Sequence, residues 1–132
     1  MTAVEYLMHM RAPINIAEYI ANIRKQYPQI RPLEEEDDIE WWNQGLDLID
    51  AGKLNDAEEI FNKLMLAQPD VPDGFNGLGM VYEKKGHPAL AAAFFREALV
   101  KAQKQVQDGS MDIELLQPIQ ADLDRVLQAS LP

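Results

Sequence analysis

Residues 41–61 read WWNQGLDLIDAGKLNDAEEIF, and residues 75–95 read FNGLGMVYEKKGHPALAAAFF. Laid over each other at an offset of 34, Gly45, Gly52, Ala57 and Phe61 fall on Gly79, Gly86, Ala91 and Phe95. Trp41 falls on Phe75, Leu48 on Tyr82 and Leu64 on Ala98. A fixed period of this length marks a helical repeat array, in which each unit leaves a face for its neighbour to cover.

Each unit predicts a helical hairpin. The first opens near Glu34, where Glu34, Glu35, Glu36, Asp37 and Asp38 crowd together. Acidic residues in a first turn complement the helix macrodipole, so the run reads either as a solvated helix start or as a docking patch for a basic ligand. The helix is expected to stop at Asp50-Ala51-Gly52-Lys53, since glycine accepts the left-handed cap. Leu54, Ala57, Ile60, Phe61 and Leu64 then recur at helical spacing over 54–67, before Pro69 and Pro72. In the second unit Asp73 is the expected N-cap of a helix reaching Lys85, and Gly86 closes it. Pro88 suits the first position of a long, alanine-rich helix running to about Gln107. Small residues at Gly45, Ala57, Gly79 and Ala91 bring the two helices of a hairpin close, and Trp41, Phe61, Phe75, Tyr82 and Phe95 fill the space between hairpins.

The spacing Trp41-x2-Gln44-Gly45-x2-Leu48, Ala57-x3-Phe61 and Pro69 resembles a tetratricopeptide (TPR) repeat, and Phe75-x2-Leu78-Gly79-x2-Tyr82 with Ala91-x3-Phe95 resembles a second. Gln44 and Leu48 replace the usual leucine and tyrosine, and Gln103 replaces the terminal proline. The resemblance implies an all-α fold: a right-handed α-hairpin superhelix of two repeats, residues 34–71 and 72–107. Residues 1–33 form an N-terminal helical arm and 108–132 a C-terminal capping helix. The register does not continue: one period downstream come Ile113, Gln120, Arg125 and Ala129, and one period upstream Arg11, Glu18, Ile23 and Tyr27. About three stacked units are normally needed for stability, so the flanks must supply the missing burial.

At the C-terminus Leu116, Ile119, Leu123, Val126 and Leu127 make an apolar stripe, predicting a capping helix over about 117–129 after the break at Asp108-Gly109-Ser110. In the arm, Ile16, Ala17, Ile20, Ile23 and Tyr27 form a stripe on a helix over about 15–26, and a shorter apolar segment, Val4 to Met10, precedes Pro13. Three roles compete for this arm: capping the first repeat, pairing with the arm of a second copy as a homodimer, or lying in the chain's own binding groove.

Composition narrows the classes. At 132 residues and 47% hydrophobic, the chain has the size of one domain and too much apolar content for disorder. The formal net charge is -10, spread as +2 over residues 1–33 and -12 over the rest. Binding to phosphate backbones or anionic membranes needs clustered Lys and Arg, so nucleic acid and membrane insertion are not expected, whereas a basic partner would be attracted. The absence of cysteine rules out disulfides and thiolate metal sites, in keeping with a reducing, cytoplasmic setting. No apolar run approaches the ~18 residues of a membrane span, and Met1 to Met10 lack the pattern of a secretory signal.

In TPR proteins the first helix of each repeat lines a concave face. By that resemblance the peptide-binding groove falls on Ile39, Trp42, Leu46 and Ile49 of the first unit and on Asp73, Asn76, Met80, Glu83 and Lys84 of the second. Such a groove suits an apolar helix or an extended peptide with apolar anchors, unless the arm or a second subunit covers it. The basic pair by which chaperone-docking TPR domains hold a terminal carboxylate is missing. Size, acidity and apolar groove are similar to those of the small TPR chaperones of type III secretion, which carry three repeats. The two histidines, His9 and His87, suggest no catalytic pairing, and no HExxH, phosphate-cradling or CxxC motif is present. The expectation is a non-catalytic adaptor, assembly factor or chaperone-like protein without a cofactor. The alternative is a structural homo-oligomer.

Overall fold

A computed structural model describes residues 15–30 and 38–130. Among them the chain forms six α-helices and no strand: α1 (Ile16–Gln26), α2 (Asp38–Asp50), α3 (Leu54–Ala67), α4 (Asp73–Lys84), α5 (Pro88–Gln107) and α6 (Leu116–Ala129). A short 3-10 turn, Ile113–Leu115, leads into α6. The predicted segment Val4 to Met10 and most of the acidic run at 34–38 lie outside the described residues.

Helices α2 and α3 pack as one hairpin and α4 and α5 as a second, with α4 against both α2 and α3. The two turns are built alike. Gly52 has φ +74° and Gly86 φ +82°, a region that L side chains rarely enter. At the first turn Lys53 N–H donates to Leu48 O at 2.8 Å and Gly52 N–H to Ile49 O at 2.9 Å. At the second, His87 N–H donates to Tyr82 O at 2.9 Å and Gly86 N–H to Glu83 O at 3.0 Å. This is the Schellman closure, which satisfies carbonyls that a helix end would otherwise leave open. Gly109, φ +85°, closes α5 in the same way.

The glycine positions inside the helices explain the packing. A Cβ on Gly45 would run into the ring of Phe61, and one on Gly79 would stand 2.7 Å from the ring of Phe95. These two pairs are related by the same 34 residues, so the sequence repeat is also a repeat of contacts. The glycines therefore admit an aromatic ring from the partner helix. Between hairpins, a Cβ on Gly77 would strike the other side of Phe61, and one on Gly74 would lie 2.6 Å from the Met65 backbone. Phe61 is thus wedged between α2 and α4, fully buried, as are Leu64, Phe75, Leu78, Val81 and Phe95.

The start of α4 differs from expectation. Its first residue is Asp73 itself, and the cap position is taken by Pro72 with φ -74° and ψ -18°. The Pro72 carbonyl already accepts from Asn76 N–H at 2.8 Å, so the helical geometry begins one residue early and Asp73 joins the first turn. The other described ends agree with the sequence to within a residue, while the expected start of α2 near Glu34 lies outside the described residues. Asn15 caps α1, its Oδ1 accepting from Glu18 N–H at 3.1 Å, and Pro118 falls in the first turn of α6.

Both ends of the array are polar. Gly74, Gly77, Leu78 and Val81 form the face of α4 that meets the preceding hairpin, and all four are buried. The residues 34 positions earlier on α2 are Glu40, Asn43, Gln44 and Asp47, all exposed. At the other end α6 covers α5 with Ile119, Leu123 and Val126, leaving Gln117, Gln120, Asp124 and Gln128 outside. Helix α1 lies elsewhere, against α3 and α5. Ile23 is its buried residue, with Ile16, Tyr19, Ile20 and Tyr27 half-buried. Ala17, expected in that stripe, is exposed, and Tyr19 takes the inward place.

Candidate peptide-binding face and its polar support

Helices α2 and α4 run side by side, and the residues selected from the sequence fall into rows along them. Trp42 corresponds to Asn76, Leu46 to Met80 and Ile49 to Glu83, one repeat apart. Spacings of three and four residues set each series along one helix face. Trp42, Leu46, Asp73, Asn76, Met80 and Glu83 are half-buried, and Lys84 is exposed. Ile49 is buried and belongs to the core. Ile39 sits in the first turn of α2, and its side chain is not among those described.

Trp42 is shared between surface and core. Its ring meets Phe61 edge-on, with centroids 5.7 Å apart and planes at 61°. Trp41, its neighbour, is also half-buried against the core. Beside Met80 a cavity of about 290 Å³ is lined by Met80, Glu83, Lys84, Asp122 and Arg125, so the capping helix contributes two charged residues that the repeat pattern did not indicate. Arg125 forks onto Glu83, with Nε to Oε2 at 2.7 Å and a terminal nitrogen to Oε1 at 2.6 Å, and meets Asp122 at 2.9 Å. The hydrogen bond to Glu83 holds the guanidinium above its usual range. Asn76 Oδ1 is buried and has no hydrogen-bond partner among the described residues.

A second polar group lies on the other side of α4, beneath α1. Tyr19 OH donates to Asn62 Oδ1 at 2.8 Å and stands 3.3 Å from the Tyr82 hydroxyl. Tyr82 OH donates to Glu58, whose other oxygen accepts from Lys85 Nζ at 2.7 Å. Lys85 also donates to Asn55 at 2.7 Å. Burial is the main reason both phenols stay protonated well above their usual range. The 34-residue period does not reveal this cluster, because its members come from three separate helices, α1, α3 and α4 with its cap. Its trace in the sequence is a tyrosine, Tyr82, at a packing position, which needs a polar partner once buried.

The chain matches no family model, no curated protein and no solved structure. Among the described residues no three His, Cys, Asp or Glu side chains come together as a metal site.

Proposed function

We propose that this chain is a two-repeat TPR-type interaction module that holds a peptide segment of another protein against the α2–α4 face, without catalysing a reaction. The observation that carries the reading is the duplicated contact geometry. Gly45 with Phe61 and Gly79 with Phe95, together with turns closed alike at Gly52 and Gly86, make two equivalent hairpins. On this reading Trp42, Leu46 and Met80, each half-buried, form an apolar row across α2 and α4. Such a row suits the side chains of an apolar helix or an extended peptide, and the acidic surroundings favour a partner with basic flanks.

The setting proposed is the cytoplasm. No helix among the described residues is long and apolar enough to cross a membrane. Selection of a random peptide library on the purified protein tests the proposal. Enriched sequences should carry bulky apolar residues flanked by Lys or Arg, and Leu46→Glu with Met80→Glu should abolish the enrichment while the circular dichroism stays unchanged. Enrichment untouched by that double substitution would place the binding surface elsewhere. Light scattering separates the alternative, a homo-oligomer with its groove filled by self-contacts, since that reading requires a mass above the monomer's.

A further inference from the structure

Helix α1 occupies a seat that other elements build without it. The floor is Phe94 of α5, fully buried and stacked on Tyr82 of α4 with centroids 5.5 Å apart and planes at 6°. One wall is Asn62 of α3, and Tyr82 is itself fixed by Glu58. Onto this platform α1 sets Tyr19, its ring edge-on to Phe94 at 4.9 Å and its hydroxyl on Asn62, with Ile23 a turn later. Lys63 Nζ then lies 5.6 Å from the centre of the Tyr27 ring. The inward series is therefore Tyr19, Ile23 and Tyr27, spaced four and four, and of the α1 residues Ile23 alone is buried.

We infer that the cleft between α3 and α5 is a helix-docking site in its own right, with α1 as its resident occupant, held by Tyr19 and released as a unit. The inference is independent of the α2–α4 face, none of whose proposed peptide-binding residues it uses. Two physical arguments carry it. The seat is preorganised: Phe94 and Tyr82 stack on each other and Tyr82 is bonded to Glu58, contacts that do not involve α1, so emptying the cleft leaves a formed aromatic floor beside Asn62. The attachment of α1 is also slight compared with that of helices carrying seven or eight buried residues, such as α3, α4 and α5. Segments with few buried contacts open ahead of the rest. In the folded chain the tether keeps α1 at an effective concentration on the order of millimolar, which is why the cleft is filled.

The test uses the full chain and a fluorescent peptide spanning residues 15–30. Tyr19→Ala in the full chain weakens the resident helix while leaving the seat intact, so the labelled wild-type peptide should bind that variant at least roughly tenfold more tightly than it binds the wild-type chain, where the tethered copy competes. A peptide carrying Tyr19→Ala should lose that affinity by a similar factor. Equal binding to both chains, or indifference to the tyrosine in the peptide, overturns the inference. So does loss of helix content across the Tyr19→Ala chain, which would make α1 an inseparable part of the core. Amide hydrogen exchange on the wild-type chain decides without any substitution: α1 amides should exchange through an opening that leaves α3 and α5 protected, and joint exchange of all three helices refutes independent release.

Discussion

Phe61 and the glycines on either side of it show how much of this molecule is decided by single atoms. Adding a side chain at Gly45 forces it into the Phe61 ring, which Gly77 already crowds from the other side. Gly45→Leu is therefore expected to destabilise the chain by about 1–3 kcal/mol or more, the range for overpacked cores, as a fall in the denaturant midpoint. Phe61→Ala should cost about 3–5 kcal/mol by opening the same space. An unchanged midpoint for either would mean the two hairpins are not wedged together as described. Tyr19 and Tyr82 carry a pH prediction. Both phenols have folded-state pKa values above the ordinary 10.0, so the stability they contribute is complete below about pH 10 and declines as pH rises beyond it. In an alkaline titration the last phenolate absorbance should appear together with loss of helix signal. Full ionisation of all four tyrosines with the helices intact would contradict the burial of the Tyr19 and Tyr82 hydroxyls.

At the scale of elements the turns matter most. Gly86 sits at φ +82° with open space around the position of a Cβ, so the cost of a substitution is conformational, not steric. Gly86→Ala should lose about 1 kcal/mol, and Gly86→Asn less, because asparagine tolerates the left-handed region better. A thermal melt of the pair checks the order. The helices themselves were legible in the sequence because two signals coincided at each end: Gly52 and Gly86 ended apolar periodicity, and Asn15 and Pro88 began it. The cap before α4 was not, since Asp73 has the right chemistry for a cap but Pro72 already carries the helical dihedrals. Tyr19 escaped for a different reason. A stripe of Ile and Ala accounted for the α1 pattern, and the place for a hydroxyl exists only once Asn62 and Tyr82 are brought together from distant positions.

For the molecule as a whole, burial is completed by α6. Removing residues 108–132 uncovers the α5 surface that Ile119, Leu123 and Val126 protect. The truncated chain is expected to melt at lower temperature and to scatter light at concentrations where the full chain does not. Retention of the full melting temperature would mean the cap is dispensable. The Arg125 fork onto Glu83 adds little to this, because the arginine side chain is 53% exposed and surface pairs are weak. The candidate face was only partly readable at this scale. Trp42, Leu46 and Met80 were proposed from the TPR resemblance and are half-buried, while Ile49 proved to be core and the charged wall of Asp122 and Arg125 required knowing where α6 folds back.

The polar residues at Glu40, Asn43, Gln44 and Asp47 have a consequence for how such a protein could grow. A further hairpin fused ahead of α2 would meet carboxylates and amides where α4 offers glycine, leucine and valine, and one added after α6 would meet glutamines and Asp124. Between the two hairpins, Gly74 and Gly77 of α4 already fit Met65 and Phe61 of α3. A second copy of residues 72–107 should thus be accepted in the interior, since its α4 face is apolar, whereas a copy of 34–71 would carry Glu40, Asn43, Gln44 and Asp47 inward; this architecture lengthens only from within and only by its second unit.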